Sequence, residues 1–342
     1  MAKTILITGG AGFIGSNFVP YFCNKYPKYD IINLDNLTYA SNLDSLKECE
    51  ALPNYKFIKG DVCDKELIPQ LFKEYDIRGV IHFAAESHVD NSINNPELFL
   101  KTNIQGTFNL LDSAYKHWME GPSIVKQGYE DCRFHYISTD EVYGALGETG
   151  SFSETTPYAP TNPYSVSKAS ADLLVQSYFK TFGLNTTKSN CSNNYGPNQH
   201  KEKLVPRVVE LALTGQPITI YGTGKNIRDW LYVLDHCKAI DLIYHTSKPG
   251  ETYNIGCNNE LNNIAIVKTI CNILDELKPR KEGKYEDLII FTKDRVGHDF
   301  RYAINATKIR NELGWKPEFN FNDSIRKTVQ WYIKRYEDDS II

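Results

Sequence analysis

Thr4-Ile5-Leu6-Ile7-Thr8-Gly9-Gly10-Ala11-Gly12-Phe13-Ile14-Gly15 decides the fold of this chain. An apolar run of strand length breaks into glycines and continues without a gap into 13–25, where apolar residues recur at helical spacing. Gly10-x-Gly12-x-x-Gly15 at that junction fits the dinucleotide fingerprint. Small residues permit the tight turn, let backbone amides approach a pyrophosphate, and let helix and strand pack closely, while the helix N-terminus supplies positive potential. Asp35 ends the next apolar run about twenty residues on, where a carboxylate accepts from both ribose hydroxyls and repels a 2′-phosphate. NAD rather than NADP is therefore the expected cofactor. A glycine turn for packing alone is the competing explanation, and the register of strand, glycines, helix and acid argues against it. Asp61-Val62 reads equally well as an adenine contact or as a surface acid closing a strand.

Working outward, short apolar runs at 4–8, 30–34, 56–60, 79–83, 133–138 and 185–190 alternate with helical patterns at 13–25, 64–75, 97–118 and 163–182. This is the signature of βαβ units, predicting an α/β, Rossmann-type doubly wound parallel sheet. Beyond about residue 190, loops rich in Asn, Gly and Pro separate shorter helices near 204–214, 263–277, 305–313 and 323–337. The expected organisation is an NAD-binding domain over 1–190, returning near 225–258 with a strand at 252–255, and a smaller α+β substrate-binding lobe over 191–342.

The 342 residues carry a net charge of -4 without a block of like charge, which argues against nucleic acid or an anionic membrane as partner. No apolar run approaches membrane-spanning length, and the segment before the first glycines is too short for a signal peptide. Eight dispersed cysteines form no CxxC pair and read as reduced thiols of a cytoplasmic protein. His82 and His88 lack a third ligand in a fitting pattern, so no metal is expected.

Asn162-Pro163-Tyr164-Ser165-Val166-Ser167-Lys168 supplies the chemistry for a bound dinucleotide. Pro163 suits a first helical position, and Tyr164 and Lys168, four apart, then share one face. A phenol is a poor base at neutral pH, but a neighbouring ammonium and a positive nicotinamide favour the phenolate, which can remove a hydroxyl proton while hydride leaves the same carbon. This spacing is common by chance and gains weight beside the glycine motif.

The glycine motif together with Tyr164-x-x-x-Lys168 resembles the extended short-chain dehydrogenase/reductase superfamily, and Ser138-Thr139-Asp140-Glu141-Val142-Tyr143-Gly144 resembles its dTDP-glucose 4,6-dehydratases. The resemblance implies that Tyr164 and Lys168 serve oxidation at C4 of a nucleoside-diphosphate glucose. Glu141 is then the base at C5, Asp140 the acid on the departing C6 oxygen, and Thr139 a hydrogen bond to the sugar. The hydride returns to C6 and regenerates NAD. Elimination needs two acids of different pKa, which crowding helps to provide.

By the same resemblance, Gly9, Gly12, Phe13, Ile14, Gly15, Asp35, Asn36, Leu37, Thr38, Asp61, Val62, Phe83, Ala84, Ala85, Ser87, Thr102 and Asn194 join Tyr164 and Lys168 in holding the cofactor. Ser87, Thr139, Asn193, Lys203, Leu204, Thr219, Tyr221, Arg228, Asn263, Asp294, Arg295 and His298 are implied for the substrate, arginine because its fork suits phosphate oxygens. Asn91, Val296, Phe300 and His200-Lys201 depart from the family pattern around the nucleotide and its closing loop. UDP- or CDP-glucose therefore stands as an alternative substrate. A 4-epimerase or decarboxylase on the same fold, or a non-catalytic sensor of NAD or sugar nucleotide, is an alternative function. The family also implies a homodimer through 97–118 and 163–182.

Overall fold

The computed structural model describes residues 3–294 and 298–339. Seven parallel strands build the main sheet: β1 (Lys3–Thr8), β2 (Tyr29–Asp35), β3 (Tyr55–Lys59), β4 (Ile77–His82), β5 (Arg133–Thr139), β6 (Thr186–Cys191) and β7 (Thr252–Ile255). Their order is β7-β6-β5-β4-β1-β2-β3, so the winding reverses between β1 and β4. That switch point leaves a crevice at the carboxyl ends of the strands, where open α/β sheets bind ligands. Register lines those ends up: Thr8 stands beside Leu34 and His82, and Thr139 beside Cys191. Gly9, Phe83, Asp140 and Ser192, each one residue further, consequently share one edge.

Both faces of the sheet are covered, which explains the unbroken apolar run of β1. Ile5 and Ile7 face one core with Phe18, Phe22, Ile240 and Tyr244, while Leu6 faces the other with Val80, Leu110, Phe134 and Val175. Helices α1 (Phe13–Lys25), α2 (Leu67–Glu74), α3 (Thr107–Trp118), α4 (Pro163–Phe182), α5 (Leu204–Leu213), α6 (Val233–Thr246), α7 (Asn263–Leu277) and α8 (Phe321–Asp339) complete the main elements. The core beneath α1 and α6 continues without a break into the packing of α5, α7 and α8, so the two lobes share apolar interior.

Two sequence expectations are corrected and one helix was not foreseen. The helix expected over 97–118 is a short helix at Pro96–Phe99, a π-helical stretch at Leu100–Gly106 and then α3. The helix expected over 64–75 is regular only over Leu67–Glu74, after a turn in which Asp64 Oδ1 accepts from the amides of Glu66 and Leu67, each at 2.9 Å. Third, α6 drew no prediction: its buried set includes Asp235, His236 and Asp241 beside Val233, Ile240 and Ile243, which blurs the apolar stripe. The expected strand at 252–255 is β7, returning to the edge of the main sheet. Near the second lobe, Ile218–Tyr221 pairs with Ile289–Thr292, and Ile227–Tyr232 lies between Asn193–Tyr195 and Glu260–Asn262.

Candidate active site

The glycine loop shows why each small residue is needed. A side chain on Gly15 would put its Cβ 2.3 Å from the Gly9 carbonyl oxygen, and one on Gly9, at φ +73°, would meet the Ala84 backbone nitrogen at 2.5 Å. Gly12 differs, for its Cβ would meet nothing closer than the Gly9 oxygen at 3.4 Å, so its smallness keeps space open. No side chain caps the first turn of α1, leaving amides for an anion. Asp35 is buried and accepts from Ala11 N at 2.9 Å, Leu37 N at 2.8 Å and Ser41 Oγ at 2.9 Å. A carboxylate has about four acceptor positions. Asp35 therefore locks the glycine loop to the loop after β2 and retains capacity for a ribose hydroxyl.

From this loop a continuous cleft of about 350 Å³ runs to the carboxyl end of β5. Its walls include Gly9, Gly12, Phe13, Ile14, Gly15, Asp35, Asn36, Thr38, Asp61, Val62, Phe83, Ala84, Ala85, Ser87, Thr102 and Asn194. Thr139, Asp140, Glu141, Tyr164, Lys168, Asn193 and Lys203 line the same space. Leu37 does not line it; at φ 56° it turns the backbone so that its amide reaches Asp35. The second-lobe positions Leu204, Thr219, Tyr221, Arg228, Asn263, Asp294 and His298 lie outside this lining, and Arg295 lies outside the described residues. Arg228 is buried, donating to the carbonyls of Ile227, Phe300 and Asp299 with its guanidinium 4.4 Å from the Tyr302 ring centre. Sequence reading gave no role to Glu86, Gln199 and Glu202, and noted His200 only as a departure from the family pattern; all four line the cleft. Only their flanking of family motifs could have flagged them.

Local chemistry sets each catalytic candidate. Thr139 closes β5 and its hydroxyl accepts from Glu141 N at 3.3 Å, capping the short turn Asp140–Tyr143 that carries both acids. Burial raises the Asp140 carboxyl well above its usual range, the charge of Glu141 adding to the effect, which favours its neutral form. Its Oδ2 is buried without a hydrogen-bond partner, as are Ser138 Oγ and Asn193 Oδ1, all three residues lining the cleft. Unsatisfied polar atoms concentrated on a cleft wall suit a polar ligand.

Asn162 caps α4 in a reciprocal box with Ser165, and Pro163 occupies the first turn, which fixes Tyr164 and Lys168 on one face. Burial chiefly, with the charge of Glu141, holds the Tyr164 phenol well above its ordinary value, while a hydrogen bond to Thr139 opposes this. Lys168 does not serve it by direct pairing: its Nζ donates to the Ile137 carbonyl at 2.8 Å and lies 4.2 Å from the Tyr136 ring centre. Burial pushes this ammonium down to about 8. Asn194 is oriented by His236, buried and neutral with its pKa pushed down to about 3, whose Nδ1 stands 2.9 Å from Asn194 Oδ1. As that oxygen only accepts, His236 carries its proton on Nδ1. His82 bonds Thr8 at 2.7 Å and Thr107 at 3.0 Å, tying strand to helix. Among the described residues no group of three His, Cys, Asp or Glu is placed to hold a metal.

This geometry has close counterparts. A family model described as GDP-mannose 4,6 dehydratase matches residues 6–328. The dTDP-glucose 4,6-dehydratase of Neisseria meningitidis serogroup B is 51% identical, covering 97% of this chain and 93% of that protein. The chain belongs to the dTDP-glucose 4,6-dehydratase family. Among solved structures, the family member from Bacillus anthracis in complex with NAD has a TM-score of 0.85 at 46% identity, covering 98% of each chain. The member from Streptomyces venezuelae with NAD and TYD bound has a TM-score of 0.87 at 38% identity, again covering 98% of each. The UDP-glucose 4-epimerase of Thermotoga maritima has a TM-score of 0.84 at 27% identity, covering 98% of this chain and 100% of that one. The wider architecture thus serves other sugar nucleotides, and the reaction must be argued from the site.

Proposed function

We propose that this chain is an NAD-dependent dTDP-glucose 4,6-dehydratase, a hydro-lyase that releases dTDP-4-keto-6-deoxyglucose and water. The single observation that carries the reading is Asp140: a buried carboxyl, raised well above its usual range, with an unpartnered oxygen, adjoining Glu141 on a cleft that also holds Tyr164 and the glycine loop. Oxidation alone needs no such pair.

When bound, NAD would supply the hydride acceptor for C4 and the hydride donor for C6, with no net consumption. The fit for it rests on the open side of Gly12, the uncapped start of α1 and the remaining acceptor of Asp35. Tyr164 accepts the C4 hydroxyl proton as its phenolate, which burial disfavours and positive charge in the cleft, from Lys168 and from the nicotinamide once bound, would favour. The resulting C4 ketone acidifies the C5 proton, which Glu141 removes. Asp140 protonates the C6 oxygen, which departs as water, Glu141 returns its proton to C5 as hydride reaches C6, and Thr139 and Asn193 position the sugar. Lys203, on the cleft wall with its Nζ donating to the Ser87 carbonyl at 3.1 Å, is assigned to the diphosphate by its match to a family motif. Leu204, Thr219, Tyr221, Arg228, Asn263, Asp294, Arg295 and His298 are assigned to the nucleotide side by their match to family motifs.

We assign NAD binding to 1–190 with the return near 225–258, and substrate binding mainly to 191–342. A homodimer is supported by apolar side chains left exposed on the two helical segments concerned: Leu100 and Phe108 on one, Val166 and Leu173 on the other. Among the described residues no helix is long and apolar enough to cross a membrane. Incubating purified protein and NAD with dTDP-glucose tests the reaction. The 4-keto-6-deoxy product is expected; dTDP-galactose without it would make the chain an epimerase.

A further inference from the structure

Asp172 has no role in the reaction above, yet it is wholly buried one helical turn beyond Lys168. Tyr164, Lys168 and Asp172 fall four residues apart in succession on α4 and share one face. Asp172 Oδ2 accepts from the Tyr158 hydroxyl at 2.7 Å. That hydroxyl in turn accepts from Lys188 Nζ at 2.7 Å, and the Lys188 ammonium lies 3.9 Å from Asp172. The other oxygen, Oδ1, is buried without a hydrogen-bond partner. A carboxylate kept from water with an acceptor unfilled is costly, and an acid placed after its lysine is the weaker order for helix stability.

The surroundings of Lys168 say what this charge is for. Tyr136 presents its ring from β5, Ile137 its carbonyl, Cys191 its thiol from β6 and His82 its imidazole from β4. Burial keeps each titratable one of these neutral near pH 7, as it does Tyr164 on the same helix. Asp172 supplies the negative charge. We infer that Asp172, held by Tyr158 and Lys188, is a positioning residue that keeps the Lys168 ammonium charged and fixed beside Tyr164. Desolvation drives that ammonium towards its neutral form and Asp172 is the largest opposing influence. The inference rests on the oxidation roles proposed above for Tyr164 and Lys168, because a second positive charge brought by the cofactor would otherwise expel the lysine proton.

The experiment compares holoenzyme with Asp172→Asn and Lys188→Met, following the ε-carbon resonance of Lys168 against pH in lysine-labelled protein, with assignment by its loss in Lys168→Met. A nearby opposite charge shifts a pKa by about 1–3 units. The Lys168 midpoint should fall by at least about one unit in Asp172→Asn, and rise in Lys188→Met, where the carboxylate keeps its charge and loses a competing cation. The alkaline limb of turnover should follow, giving Asp172→Asn about tenfold less activity one pH unit above its new midpoint, with normal activity at lower pH. An unmoved midpoint in Asp172→Asn, or a fall of equal size in both variants, overturns the inference and leaves Asp172 a packing residue. If Asp172→Asn does not fold, a fall rather than a rise in Lys188→Met overturns it. The resonance is read without turnover, so failure of the proposed reaction shows separately, as wild-type protein with a titrating Lys168 and no product.

Discussion

Replacing Asp140 with Asn separates the two halves of the reaction. The amide has nearly the same shape and keeps an acceptor for Thr139, whose hydroxyl lies 3.4 Å from Asp140 Oδ1. It cannot deliver a proton to the C6 oxygen. General acid catalysis contributes about 10²–10⁴-fold, or about 2.7–5.4 kcal/mol at about 1.36 kcal/mol per tenfold. Oxidation depends on Tyr164 and should proceed, so a single turnover with dTDP-glucose is expected to show reduced-cofactor absorbance that rises at near the wild-type rate and decays about 10²–10⁴-fold more slowly. Stability should move the other way. The Asp140 carboxyl is raised in the folded state, so its favourable contribution is complete below the unfolded value of about 3.9 and is lost as pH climbs towards the folded value. Wild type should lose up to about 1.36 kcal/mol relative to Asp140→Asn for each pH unit across that window. The variant should therefore melt higher at pH 7 and converge on wild type near pH 3. Decay of the absorbance at the wild-type rate, or a variant less stable by the same amount at every pH, would refute the assignment of Asp140 as a buried neutral acid.

Four further outcomes are expected. Glu141→Gln should retain oxidation and lose elimination, whereas Tyr164→Phe should lose the absorbance rise itself; rapid-mixing traces distinguish them. Turnover should decline above about pH 8 as the buried Lys168 ammonium is lost, a limb visible in a pH profile at saturating substrate. Gly15→Ala should strip the protein of cofactor and destabilise it by about 1–3 kcal/mol, because its Cβ would sit 2.3 Å from Gly9 O and 2.6 Å from Gly10 Cα, both backbone atoms. Protein-bound NAD after gel filtration and thermal melting report the two effects. Leu173→Glu, at a site 55% exposed on α4, should shift the sedimentation boundary from dimer to monomer.

Much of this was legible in the residues because local rules and tertiary needs agree. At 4–15 the apolar strand, glycine loop and helix start each carry a local signal, and the folded backbone uses them in that sense. Pro163 likewise marked the start of α4, and with it the shared face of Tyr164 and Lys168. The signals failed where tertiary context dominates. The π-helical stretch at Leu100–Gly106 interrupts a pattern that reads as continuous helix, and α6 is buried too evenly to show a stripe. The state of Tyr164 was also beyond sequence: spacing suggested an ammonium acting on the phenol, but Lys168 is anchored on Ile137, and burial holds the phenol protonated. Asp172, Tyr158 and Lys188 lie far enough apart in sequence that only folding assembles them.

The closed redox cycle is the central claim, and a label at C4 tests it most directly. With dTDP-glucose carrying deuterium at C4, the 4-keto-6-deoxy product should hold the deuterium at C6 of the same molecule, with no net change in NAD. Label found in solvent or in released cofactor, or a product retaining deuterium at C4, would contradict it.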